Sequence, residues 1–338
     1  MENTHFLPPH YRPKLDLYHT QLAIKQAKDD FEDELAALLH LSRVSAPLFV
    51  DKATGLNDDL NGVERPVSFD IPDVGTDGQV VHSLAKWKRL ALKRYQFHPG
   101  EGLYTDMNAI RRDEDLDNLH SAYVDQWDWE KIITEEDRNT EYLKDTVRSI
   151  VGALRDTQAF LRSVFPQLSV LPEIPEEITF VTTQELEDRY PDFTPKEREN
   201  AFVKEHPVTF LMGIGGKLKS GKPHDGRAPD YDDWNLNGDL LCWDSVNGQA
   251  IELSSMGIRV SPESLDKRLT LAGCDERREL PFHKMLLNGQ LPLTMGGGIG
   301  QSRLSMLLLG KAHIGEVQVS MWDESTMAAC DASGIILL

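Results

Sequence analysis

Gly296-Gly297-Gly298-Ile299-Gly300-Gln301-Ser302-Arg303-Leu304-Ser305-Met306-Leu307-Leu308-Leu309 joins a run of glycines to an apolar helical segment, with one arginine near the junction. Glycines in a strand let a flat ligand lie against the backbone. An arginine at the start of the next helix reaches a phosphate held there. The plain alternative is a turn before a core helix that carries a surface arginine. The run is not a dinucleotide fingerprint, because GxGxxG counted from Gly296 ends on Gln301 and counted from Gly298 ends on Arg303. Gly216-Lys217-Leu218-Lys219-Ser220-Gly221-Lys222 matches GxxxxGK, yet Pro223 follows and lacks the hydroxyl and N–H that a phosphate loop uses. That segment reads instead as a flexible basic loop over a site.

Outward from the glycine turn at 296–300, apolar spacings of three to four residues predict a helix over 15–41. A strand is expected over 44–50, turns and a hairpin over 54–77, and a helix over 82–92. Strands over 104–110 and 122–129 flank the charged turn Arg111-Arg112-Asp113-Glu114-Asp115-Leu116-Asp117. A long amphipathic helix over 135–165 follows, then a strand at 178–181, short helices at 185–190 and 195–205, and a strand at 208–214. The stretch 215–237 reads as loop. Strands are expected at 240–243, 250–253 and 257–260, then helices at 262–271, with Ser261 as N-cap, at 280–287 and at 301–309. Strands in runs rather than strict βα alternation point to an α+β domain with a mostly antiparallel sheet flanked by helices. Residues 1–14, with Pro8, Pro9 and Pro13, read as an extended N-terminal arm, and 15–338 as one catalytic domain.

The chain has 338 residues, and 36 Lys and Arg against 55 Asp and Glu give a net charge of −19. So acidic a surface opposes binding to nucleic acid or to anionic membranes. No apolar run approaches the roughly 20 residues a membrane span needs, and the first residues lack a signal-peptide core. Cys242, Cys274 and Cys330 are scattered and form no CxxC, which suggests a reducing compartment, without disulfide framework or zinc site. A cytoplasmic location is expected.

Arg303 after Gly296, Gly298 and Gly300 resembles motif 3 of class II aminoacyl-tRNA synthetases. The 111–115 turn is similar to the motif 2 loop of the aspartate branch of that family. Leu236-Asn237-Gly238-Asp239 and Glu252-Leu253-Ser254-Ser255-Met256-Gly257-Ile258-Arg259 resemble the segment that supplies acidic magnesium ligands. Pro47 matches the motif 1 proline at a dimer interface. The segments at 82–89, 100–104, 123–130, 227–234 and 296–309 narrow the match to the ammonia-dependent asparagine synthetase family, from about Phe31 to Trp322. Two features depart from that family: a shorter loop between Trp234 and Leu236, and a longer N-terminal arm.

The resemblance implies a class II synthetase-like core and an ATP-dependent conversion of aspartate and ammonia to asparagine through a β-aspartyl adenylate, releasing AMP and pyrophosphate. It places Arg111 at the α-phosphate, with Arg112 as the alternative register, and Arg303 at the γ-phosphate or the aspartate-facing side of ATP. Ser254, Ser255, Arg259, Gly298 and Gly300 are further nucleotide contacts. Asp239 and Glu252 are the Mg2+ ligands, as hard oxygen donors. Ser83, Lys88, Gln126, Asp128 and Asp232 form the aspartate pocket; Lys86 is expected at the surface. Asp58 draws in ammonium and takes its proton, or else caps its loop. A homodimer is implied. A tRNA synthetase-like paralogue and a non-catalytic relative are the rivals. The first needs an anticodon domain of about 100 residues, for which no room is expected. The second would have lost Arg111, Arg303, Asp239 or Glu252, and all four are present. No cysteine follows Met1, so an N-terminal-nucleophile glutaminase is not expected.

Overall fold

The computed structural model describes residues 7–58, 60 and 64–338. In chain order, α1 (Leu17–Leu39) is followed by β1 (Leu41–Arg43), β2 (Phe49–Asp51), β3 (Ser68–Ile71), β4 (Thr76–Val80) and α2 (Ala85–Arg94). Next come β5 (Gly102–Ile110), β6 (Tyr123–Ile132), α3 (Thr140–Val164), β7 (Thr179–Thr182), α4 (Thr183–Arg189), α5 (Pro195–Glu205) and β8 (Val208–Met212). The rest is β9 (Asp232–Asp244), β10 (Gln249–Arg259), α6 (Pro262–Ala272), α7 (Pro281–Leu287), β11 (Thr294–Gly300), α8 (Gln301–Leu309) and α9 (Glu324–Ala332). Ser261 caps α6, accepting from the Ser264 N–H.

Eight strands form one sheet in the order β1-β5-β6-β11-β10-β9-β8-β7. Only the outer pairs, β1 with β5 and β7 with β8, are parallel. The predicted antiparallel α+β architecture is therefore present, and β2, β4 and β3 make a small second sheet. Alternation sorts the two faces of the large sheet. On β6, Trp127 and Trp129 enter the main core with Phe31 and Leu35 of α1, Val147 and Ile150 of α3, and Leu304 and Leu308 of α8. Gln126, Asp128 and Glu130 thus face the other way. On that second face α2 packs against β6 and β11, and α5 against β9 and β10. The strip of sheet between them is left open as a floor.

Four expectations change. The glycines at 296–300 are not a turn but most of β11, in the middle of the sheet. The strands expected at 250–253 and 257–260 are one strand, β10, whose register shifts between Glu252 and Ser254 and again between Gly257 and Arg259. Residues 232–239, read as loop and loop end, already belong to β9, because β10 supplies a partner that outweighs the low strand preference of Asp and Asn. The 44–50 stretch is not a continuous strand either: β1 ends before it, β2 begins at Phe49, and Pro47 between them has no N–H to donate. Of the N-terminal arm, residues 1–6 lie outside the described residues. Leu7 and Tyr11 pack against Ala312, Cys330 and Ile335, and the Tyr11 hydroxyl donates to Glu316 at 3.0 Å.

Candidate active site

A cavity of about 400 Å³ opens above the floor, within the range that holds a small ligand. β11 makes its centre. A Cβ on Gly298 would collide with the Gln126 carboxamide, and one on Gly296 with the Glu130 carboxylate, so glycine there lets long polar side chains of β6 cross the neighbouring strand. The glycine run suggested a flat ligand against the backbone; the close approach seen at these two positions is by side chains of β6.

The floor carries a dense charge network. Arg259 of β10 donates to Glu130 at 2.8 Å and also pairs with Asp232. Lys88 of α2 is fully buried; its ammonium donates to Asp128, to the Trp129 carbonyl at 2.9 Å and to the Gly297 carbonyl at 3.2 Å. Burial pushes Glu130 up, yet Arg259 and Lys88 outweigh it and hold its carboxyl below the ordinary range. Burial pulls Lys88 down despite Asp128 and Glu130.

Two arginines stand over this floor. Arg111, at the start of the β5–β6 turn, and Arg303, in the first turn of α8, both line the cavity. Arg303 donates to the Glu252 carbonyl at 3.2 Å. Arg112 does not line the cavity and is 47% exposed, which favours the Arg111 register. At one corner Arg227, in the loop before β9, donates to Asp239 at 2.7 Å and to the Ser255 hydroxyl. Burial pushes Asp239 up; Arg227 pulls it down, and the charge of Glu252 adds to the rise, leaving it above the ordinary range.

At the opposite end Asp58 is buried and accepts from the Ser83 hydroxyl at 2.8 Å. Burial raises its carboxyl, with Lys86 opposing and Asp230 adding. Behind it lies a second cluster. Asp230, with no exposed side-chain surface, meets Lys86 at 3.3 Å, Arg277 at 3.0 Å and His283 at 2.9 Å. Burial opposes its charge, but Lys86, His283 and Arg277 together hold Asp230 ionised.

Of the residues expected at the site, Asp58, Ser83, Arg111, Gln126, Asp128, Asp232, Glu252, Ser255, Arg259, Gly298, Gly300 and Arg303 line this one cavity. Three do not meet it as expected. Lys88 is enclosed beneath Asp128 and offers no free donor to an aspartate carboxylate. Ser254 pairs across with Leu240 and Ile299 and shares their core face. Asp239 lies behind Arg227. Arg259, expected among the nucleotide contacts, sits with Asp232 and Glu130 on the floor. Lys86, expected at the surface, is 3% exposed. The residues that sequence reasoning passed over are Glu130, Arg227 and Asp230. The last two stand in the Arg227–Trp234 segment already marked as informative, and that segment was the available signal.

Among the described residues, no group of three or more His, Cys, Asp and Glu is arranged to hold a metal. No helix among them is long and apolar enough to cross a membrane.

The aspartate-ammonia ligase family matches this chain over residues 18–334. A relative in Clostridium perfringens (strain 13 / Type A), named aspartate–ammonia ligase, is 63% identical over 336 residues, covering 98% of this chain and 99% of that protein. The protein of the same name in Clostridium tetani is 60% identical over 333 residues, 98% of this chain and 97% of that one. Among solved structures, Entamoeba histolytica asparaginyl-tRNA synthetase in complex with asparaginyl-adenylate superposes with a TM-score of 0.66 at 13% identity, over 89% of this chain and 66% of that chain. The Pyrococcus horikoshii asparaginyl-tRNA synthetase complexed with asparaginyl-adenylate gives 0.64 at 16% identity, over 91% and 72%. At such identities the likeness shows a shared fold, the class II synthetase core.

Proposed function

The chain belongs to the aspartate–ammonia ligase family, and from that membership and the cavity we propose that it joins ammonia to the β-carboxylate of aspartate at the expense of ATP. The observation that carries the site assignment is the convergence of Arg111 and Arg303, from separate elements, over a polar shelf of Gln126, Asp128 and Arg259. A carboxylate resists ammonia because its oxygen leaves poorly. A β-carboxylate oxygen of aspartate therefore attacks the α-phosphorus of ATP, and pyrophosphate departs. Ammonia nitrogen then attacks the β-carbonyl carbon, and AMP leaves with the C–O bond electrons.

Arg111 bears on the α-phosphate and Arg303 on the outer phosphates. Two fixed cations there stabilise charge that develops in the transition state. Gln126 and Asp128 accept the substrate amine. Arg259 is the floor cation that holds the carboxylate not activated, a role for which Lys88 has no free donor. Lys88 instead positions Asp128. Asp58, its carboxyl raised by burial, takes the proton that ammonium must lose before nitrogen attacks.

Glu252 and Asp239 suit a divalent cation in chemistry: both are hard oxygen donors, on the adjacent strands β10 and β9. Magnesium so held would neutralise phosphate charge.

Large apolar side chains lie exposed beside Pro47, at Leu48 and Phe49, and along α1 at Tyr18, Leu22 and Leu38. A second copy covering them makes a homodimer, the commonest closed assembly. Sedimentation at micromolar concentration tests this, and a monomer mass contradicts it. Residues 15–338 act as one catalytic domain, with the N-terminal arm clasped to the C-terminal end through Tyr11.

The test of function is aspartate-dependent ATP–pyrophosphate exchange without ammonia, followed by stoichiometric asparagine and AMP once ammonia is added. Release of ADP, formation of isoasparagine or a requirement for tRNA overturns the reading.

A further inference from the structure

Arg227 is the cation of the acidic corner. Its guanidinium donates to Asp239 at 2.7 Å and to the Ser255 hydroxyl, and its Nε–H is buried with no acceptor. Glu252 and Asp239 lie on adjacent strands close enough for charge to couple, and Ser255 pairs directly with Asp239 across the ladder. Arg227 therefore compensates Asp239 and leaves one of its own donors unmet, while the charge of Lys196 on α5 acts on Glu252.

The chain is anchored on either side of it. After Arg227, Ala228 and Asp230 are buried, and the Trp234 indole donates to the Ala228 carbonyl at 3.4 Å. Before it, Asp225 and Gly226 are exposed, but His224 ahead of them is buried and meets Glu199 at 3.0 Å. The side chain thus hangs at the rim of the cavity from a short segment held on both sides, and any change of partner is a rotation of the side chain itself.

We propose that Arg227 is a placeholder cation: it occupies Asp239 until a metal-bound nucleotide enters, and then moves from that carboxylate to the phosphate anion. This rests on reading Asp239 and Glu252 as the ligands of the nucleotide's divalent cation. A dication at those oxygens and a guanidinium on the same carboxylate repel each other strongly in so dry a place. A nucleotide brings the dication and an anion together, so the arginine is displaced and given a new partner in one event. Without nucleotide, Arg227 keeps free divalent ions out. The corner fills only when substrate is present, which orders the binding of metal after or with ATP.

The probe is Mn2+, followed by electron paramagnetic resonance on the purified enzyme without nucleotide. The wild type should show no site tighter than millimolar. Arg227→Met should bind at least tenfold tighter, Arg227→Lys should behave as the wild type, and Arg227→Met with Asp239→Asn should lose the gain. Circular dichroism of each variant establishes that it is folded. An Arg227→Met protein with unchanged Mn2+ affinity overturns the proposal, as does a tight wild-type site in the absence of nucleotide. Asparagine synthesis, scored on the same wild-type preparation, tests the reaction separately: a failure there removes the ligase reading while the Mn2+ result still decides the role of Arg227.

Discussion

The floor of the cavity and its acidic corner solve opposite problems with the same residue types. On the floor, Arg259 and Lys88 meet Glu130, Asp128 and Asp232, and every one of these groups is buried and paired. At the corner, one loop arginine pairs with Asp239 with a donor left over, and Glu252 is met by the charge of Lys196 from α5. A saturated network in a dry place cannot rearrange without exposing a bare charge, so it holds geometry. An under-compensated pair invites an incoming cation. The floor is built to orient an amino acid, and the corner to respond to a nucleotide.

Breaking the floor should cost most. Arg259→Met removes the ion pair of buried Asp232 and leaves Glu130 with Lys88 at 3.8 Å, and should lose about 3–5 kcal/mol of stability by urea unfolding. A loss below about 1 kcal/mol would mean that the floor is not held by this network. The cations above it should affect chemistry rather than folding. Arg303→Ala and Arg111→Ala should each lower aspartate-dependent pyrophosphate exchange by on the order of 10²–10³, with unfolding midpoints close to wild type. Wild-type exchange by either variant removes that arginine from the phosphate.

Asp58 sharpens the comparison through pH. Its folded carboxyl is raised, chiefly by burial, above the ordinary value near 4. Between that value and the raised one, the folded state holds the proton that the unfolded state has lost. Unfolding there releases a proton, and stability falls as pH rises through the window. Asp58→Asn should flatten that fall in thermal midpoints and should slow the ammonia-dependent step while leaving pyrophosphate exchange in place. An unchanged slope means another group sets it. Least affected should be the basic loop: Lys219 and Asp188 pair at 2.7 Å with side chains 70% and 50% exposed. Lys219→Ala should shift stability by no more than about 0.5 kcal/mol.

The parts of the site legible in the sequence were those written in local spacing. Gly296, Gly298, Gly300 and Arg303 stand within eight residues, and strand alternation alone puts Gln126 and Asp128 on one face. What stayed hidden depends on partners far away in the chain. Helical periodicity places Lys86 and Lys88 on α2 but does not say that the sheet and α7 close over both of them. Asp230 and His283 bury the first, Asp128 and Glu130 the second. Ser254 and Ser255 take opposite faces by ordinary alternation, but it is the bulge at Leu253, shifting the register of β10, that puts Ser255 rather than Ser254 on the face of Glu252. Arg227 acquires its meaning from Asp239 on the strand that follows, a contact across the loop rather than along it.

The central claim is that the β-carboxylate of aspartate is the group activated at the α-phosphate. Aspartate labelled with oxygen-18 in both β-carboxylate oxygens, incubated with ATP, magnesium and ammonia, tests it directly by mass spectrometry. One labelled oxygen should appear in AMP and the other in the amide of asparagine, in equal amounts. Label in pyrophosphate or inorganic phosphate, or AMP formed without label, would contradict the account.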